Sequence, residues 1–130
     1  MPVAGLGSYD DSNIFARLLR GEIPSRRVYE DEWAVAFHDI APQAATHVLV
    51  IPRGRWVSLA DFAAGATDGE IAGFWRAVAR VARELQLETP GYRALTNMGA
   101  HGGQEVPHFH VHLFGGQPLG PMLARPGATP

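Results

Sequence analysis

The sequence predicts an α+β fold, an antiparallel sheet of about five strands with one long helix and one short one. Three observations predict it. Residues 68–87 keep apolar side chains at the i, i+3, i+4, i+7 spacing of one helix face. Short alternating stretches bounded by Gly, Pro and Asp recur on both sides of that segment. Nowhere do strand and helix patterns alternate in the regular way that builds a parallel sheet.

Residues 1–11 are small and polar and read as a flexible lead-in. Ser12 or Asn13 can cap the short helix, whose apolar Ile14, Phe15, Leu18 and Leu19 share a face and which Gly21 and Pro24 end. Arg26 to Glu30 and Trp33 to Ile40 read as a hairpin turning at Asp31-Glu32, and Thr46 to Ile51 as a third strand stopping at Pro52. Leu59 to Ala63 can add a helical turn. In the long helix, Ile71, Phe74, Trp75, Val78, Ala82 and Leu85 form the apolar stripe, and Arg76, Arg80 and Arg83 a solvated face. Tyr92 to Asn97 reads as a fourth strand. Met98 to Gln104 reads as a flexible glycine loop, and 117–130 as an irregular proline-bearing tail.

The fifth strand carries the chemistry. In His108-Phe109-His110-Val111-His112 an extended backbone sends the three imidazoles to one face and Phe109, Val111 and Leu113 to the other. Neighbouring imidazoles can supply a nucleophile and proton donors near neutral pH, or two of them can chelate a metal, or the strand can simply be half-exposed. The loop before it places glycine N–H groups, Gly103 among them, where an anion could meet both them and the rings.

At 130 residues and 46% hydrophobic content the chain suits a single domain with a real core. Such a domain leaves a sheet edge and a face to cover, which favours a homodimer with the sheet extended across it. No apolar run approaches a membrane span, and the first residues lack the pattern of a signal peptide, so a cytoplasmic protein is expected. There is no cysteine, which excludes disulfides and thiolate metal sites. All 11 basic residues are arginine and the net charge is −2, so no nucleic-acid footprint is expected and lysine chemistry is excluded.

The triad, preceded by Gly102-Gly103-Gln104-Glu105-Val106, resembles the histidine-triad (HIT) superfamily. Ile14-Phe15, Gly21-Glu22-Ile23-Pro24, Phe37-His38-Asp39-Ile40-Ala41-Pro42 and Thr46-His47-Val48-Leu49-Val50-Ile51-Pro52 are similar to its HINT branch, and Gly115 to Leu123 to its bacterial members. The resemblance covers residues 12–124. It implies a homodimeric hydrolase that binds a purine nucleotide and cleaves nucleoside phosphoramidates and aminoacyl-adenylate-like compounds without a cofactor. Two alternatives stay open: a dinucleoside polyphosphate hydrolase, and a nucleotide-sensing module with little turnover.

By position the resemblance makes His110 the nucleophile, lets His112 and His47 assist the phosphate and leaving group, and has His108 brace them. It gives Asp39 the ribose, lines the base pocket with Phe15, Phe37, His38 and Ile40, and sets Asn97, Gln104 and Val106 near the phosphate or leaving group. Read without it, Phe15 and Phe37 are core residues that happen to border the pocket, while His38 and Asp39 can equally be turn formers and His47 a half-buried histidine. Some relatives bind structural zinc through a Cys-x-x-Cys and a histidine, where this chain has Asn13, Ala16 and Arg55, so no metal is expected. Glu105 stands where eukaryotic relatives have serine, which bears on the leaving group.

Overall fold

The computed structural model describes residues 3–124; the expectations for residues 1–2 and for 125–130 of the tail lie outside the described residues. Five antiparallel strands run in the order β1-β2-β3-β5-β4: β1 Arg27–Glu30, β2 Ala34–His38, β3 Thr46–Pro52, β4 Arg93–Leu95 and β5 Val111–Gly115. The expected sheet is present. Four helices accompany it: α1 Ile14–Leu19, α2 Leu59–Gly65, α3 Asp68–Glu84 and α4 Gly99–Gly102. None is long and apolar enough to cross a membrane.

Alternation in the central strands sorts side chains into two cores. Ala34, Ala36, Val48, Val50, Val111 and Leu113 face α2 and α3, meeting Phe62, Phe74, Val78 and Val81. Their neighbours Val35, Phe37, Leu49 and Ile51 face Phe15 and Leu18 of α1. A two-residue period thus buries both faces, and the triad histidines fall on the α1 side. The close seat of α3 needs Gly73, where a Cβ would lie 2.4 Å from the Trp33 ring.

Four expectations change. Residues 3–11 are not a loose lead-in: Ser58 Oγ donates to the Gly5 carbonyl at 2.6 Å, and Arg55 pairs with Asp11 at 2.9 Å. The 98–104 segment is not all loop, since Gly99–Gly102 makes one short helical turn between left-handed glycines at φ +69° and +75°. There are therefore more helices than the one long and one short expected. The long helix stops at Glu84 because Gln86 takes φ 61°, which lets Leu87 N–H reach back to the Ala82 carbonyl at 2.9 Å. Finally, β5 begins only at Val111. Its register with β3 pairs Val50 with Val111, and continuing it brings Phe109 opposite Pro52, which has no N–H to give. Phe109 N–H bonds the Trp56 carbonyl instead, at 2.7 Å.

Candidate active site

The site grows from β3 and β5, whose register sets His47 opposite Phe114 and Leu49 opposite His112. His47 and His112 are therefore diagonal neighbours on one face. Their rings approach at His47 Nε2 to His112 Nδ1, 2.9 Å. Both lie against Phe114, with His112 nearly parallel to it at 5.6 Å and 3° and His47 tilted at 4.2 Å and 37°.

Backbone partners fix where the protons sit. The Gln43 N–H can only donate, and it donates to His47 Nδ1 at 3.1 Å. A neutral His47 ring must then carry its proton on Nε2 and give it to His112 Nδ1, which puts the proton of a neutral His112 on Nε2. That N–H is the group His112 has left to offer a ligand.

The other pair is set from carbonyls. The Pro52 carbonyl accepts from His108 Nε2 at 2.9 Å, and the His108 carbonyl accepts from His110 Nδ1 at 2.7 Å. A carbonyl has no proton, so a neutral His110 keeps its lone pair on Nε2. Thr96 Oγ1 holds the His110 carbonyl at 2.7 Å, and Phe15 meets the His110 ring edge-on at 5.1 Å. The nucleophile candidate is thus gripped at its ring and at its backbone.

Burial keeps these rings neutral. It pushes His108 down to about 4, against the pull of the Pro52 carbonyl. His112 is pushed down to about 4 by burial first and then by His110 and His47. Burial also lowers His110 and His47, opposed in both by the Asp39 carboxylate. At neutral pH the cluster is a set of uncharged donors and acceptors.

The remaining expected residues divide. Asp39 joins the cluster: Oδ1 accepts from Ala41 N–H at 2.8 Å, while Oδ2 lies 3.4 Å from His47 Nε2. Phe15 and Phe37 are buried edge to face at 5.5 Å in the α1-side core, and Val106 packs against them. Phe15 borders His108 and His110, with its ring centre 6.2 and 5.1 Å from theirs. His38 and Asn97 are half-buried, and Gly103 and Glu105 exposed. Ile40 is 98% exposed, so its side chain lies on an open rim rather than in a formed pocket. Gln104 is buried, and its amide accepts from Gly99 N–H at 3.0 Å and donates to the Val57 and Val106 carbonyls at 2.7 and 3.0 Å, so its side chain staples the loop.

Asp39, His47 and His112 each present one possible metal-ligand atom, all within 4.8 Å of one another. A cation there would need the lone pair of His47 Nε2, but the Gln43 amide occupies Nδ1 and leaves the proton on Nε2. The trio is matched to sharing protons rather than to binding a metal.

Sequence reasoning missed Tyr9, Thr96, Phe114 and the Gln43 amide. Phe114 was within reach, because it lies two residues beyond His112 and so shares its face. Tyr9 and Thr96 depend on contacts 99 and 14 residues away in the chain, and the Gln43 amide, only four residues from His47, on the turn between β2 and β3.

The HIT domain model matches residues 20–119. An uncharacterized 13.2 kDa HIT-like protein of Azospirillum brasilense is 57% identical over 118 residues, spanning 91% of this chain and 97% of that protein. The purine nucleoside phosphoramidase of Escherichia coli strain K12 is 43% identical over 117 residues, 90% of this chain and 98% of that one. Among solved structures, a HIT family hydrolase from Clostridium thermocellum matches with a TM-score of 0.76 at 33% identity, over 88% of this chain and 99% of its own.

Proposed function

The chain belongs to the HIT domain family of hydrolases, and from that membership and the site's hydrogen bonding we propose that it is a nucleoside phosphoramidase acting on purine nucleotides. The observation that carries this reading is the 2.7 Å bond from His110 Nδ1 to the His108 carbonyl, which turns a neutral Nε2 lone pair to nucleophilic use. The similarity to the Escherichia coli phosphoramidase supplies the substrate class.

In this scheme His110 Nε2 attacks the α-phosphorus, the P–N bond breaks, and a nucleotidyl-histidine forms. The departing amine needs a proton, which His112 Nε2–H delivers and which that nitrogen then regains from solvent. Water then attacks phosphorus, His110 leaves, and the proton taken up in the first step is released. Asp39 accepts from the ribose hydroxyls, while Phe15, Phe37, His38 and Ile40 border the base. Asn97, Gly103, Glu105 and Val106 flank the phosphate and leaving group. The enzyme works as a homodimer, and a sedimentation run at micromolar concentration showing a monomer alone would remove that part of the reading.

The deciding assay is steady-state hydrolysis of an adenosine phosphoramidate beside a dinucleoside polyphosphate. We expect the phosphoramidate to have the higher kcat/KM. The opposite order would replace this reading with polyphosphate hydrolysis, and tight nucleotide binding without turnover of either would leave a sensing module.

A further inference from the structure

We propose that Tyr9 is a positioning residue for the nucleophile: its hydroxyl fixes the His108 ring, and with it the His108 carbonyl from which His110 hangs. This rests on the reading of His110 as nucleophile. Tyr9 lies 99 residues from His108 in sequence, yet its hydroxyl oxygen is 2.6 Å from His108 Nδ1. The direction of that bond follows from the other side of the ring. His108 Nε2 gives its proton to the Pro52 carbonyl, so Nδ1 of the neutral ring holds a lone pair and Tyr9 must donate. Burial raises the Tyr9 phenol above its ordinary range, which keeps that proton in place at neutral pH.

His108 has no solvent to replace a lost partner, being 0% exposed. Its ring is held at Nδ1 by Tyr9 and at Nε2 by Pro52, and its carbonyl holds His110. Take Tyr9's hydroxyl away and a buried acceptor is left bare, so the ring can tilt or exchange tautomers. Because the His110 ring bonds the backbone of that same residue, the disturbance reaches the nucleophile directly. Small misplacements of a reacting group are enough to slow chemistry by an order of magnitude or more.

Tyr9 is itself held in place. The Arg55 guanidinium sits 5.3 Å from the centre of its ring and is anchored to Asp11 at 2.9 Å. The Ser58 hydroxyl pins the segment upstream at Gly5, and Asn13 Nδ2 bonds the Asp10 carbonyl at 2.7 Å while its Oδ1 caps α1. Phe15 of α1 then meets His108 and His110 at 6.2 and 5.1 Å. One segment therefore reaches the histidines both by the Tyr9 hydroxyl and through the helix it leads into.

The test is Tyr9→Phe in the full chain, with two readouts. Ring nitrogen NMR of the histidines should show His108 Nδ1 moving downfield as it loses a donor, and His110 Nδ1 shifting with it. On an adenosine phosphoramidate, kcat should fall roughly ten- to a hundredfold with KM within about twofold. Arg55→Met keeps the hydroxyl but removes the cation over its ring, and should move both readouts the same way by less, about threefold in kcat; if Tyr9→Phe does not fold, this variant decides. Unchanged His108 and His110 resonances overturn the proposal, as does a normal kcat beside shifted resonances. A wild type with no phosphoramidase turnover defeats the functional reading alone, and the ring resonances then decide the role of Tyr9.

Discussion

The two halves of this site are built differently. On the histidine side, each assigned ring proton and lone pair has a partner, down to backbone groups of Gln43, Pro52 and His108, except the two turned to the ligand, His110 Nε2 and His112 Nε2–H. On the proposed nucleotide side the residues stand at the end of β2 and beyond it: His38 is half-buried, Asp39 is held by its own turn at Ala41, and Ile40 points into solvent. In the proposed scheme the reacting groups are fixed before any ligand arrives, whereas the rim is left for the ligand to complete. Such a division suits an enzyme whose chemistry demands geometry to a fraction of an ångström while its base recognition is mostly apolar cover.

The largest expected effect separates the halves outright. His110→Ala removes the proposed nucleophile but leaves Asp39 and the α1-side core untouched, so turnover should drop by roughly a thousandfold or more while nucleotide affinity stays within a few fold. Calorimetric binding beside single-turnover kinetics checks it. Equal loss of binding and turnover would mean that the halves are not separable.

His112 sharpens the comparison within the histidine side. If its Nε2–H serves the departing amine, His112→Ala should cost about a hundredfold on an alkylamine phosphoramidate but only about tenfold on an arylamine, whose amine leaves more easily unprotonated. Equal losses across pH would place His112 in binding rather than in proton delivery.

A third expectation concerns acid. His108 and His112 are held down to about 4, whereas the unfolded chain titrates histidine near ~6.5. With folded values below unfolded ones, protons bind the unfolded state better. The stability contributed by neutral rings is whole above about pH 6.5, is lost as pH falls from there toward about 4, and levels off below. For His108 alone the loss is on the order of 3 kcal/mol. Melting temperatures across pH 7.5 to 4 should fall accordingly, and a flat curve would show that these rings are not kept neutral by burial.

Much of this was legible in the sequence because it rests on period. Phe109, Val111 and Leu113 alternate with the triad and fall into the α3-side core, and the stripe from Phe74 to Ala82 seats α3 on them. The resemblance to a known family located Asp39 and His47. What no local pattern could supply was partnership across the fold. The Tyr9–His108 bond spans 99 residues and the His47–His112 bond 65, so each exists only once the chain has folded. Gln104 shows the same dependence on distant segments. The resemblance sets Gln104 near the phosphate or leaving group, and only the positions of the Gly99, Val57 and Val106 backbone groups show that its side-chain amide is engaged within the fold.

The smallest expected effect probes the open rim. A fully buried isoleucine truncated to alanine loses about 2–5 kcal/mol, because apolar contacts vanish and a cavity remains. Ile40 at 98% exposure has few contacts to lose, so Ile40→Ala should change stability by no more than about 0.5 kcal/mol. If its side chain meets the base only when nucleotide is bound, the same variant should raise KM about three- to tenfold with kcat nearly unchanged, the signature of uniform binding. Denaturant unfolding of the free and nucleotide-bound protein, set beside steady-state kinetics, distinguishes the cases. A drop of several kcal/mol in the free protein would mean that Ile40 is already covered, by a second copy of the chain for instance, and that the rim is assembled before the ligand arrives. An unchanged KM would instead remove Ile40 from the base site and leave recognition to His38, Asp39 and the aromatic pair beneath them.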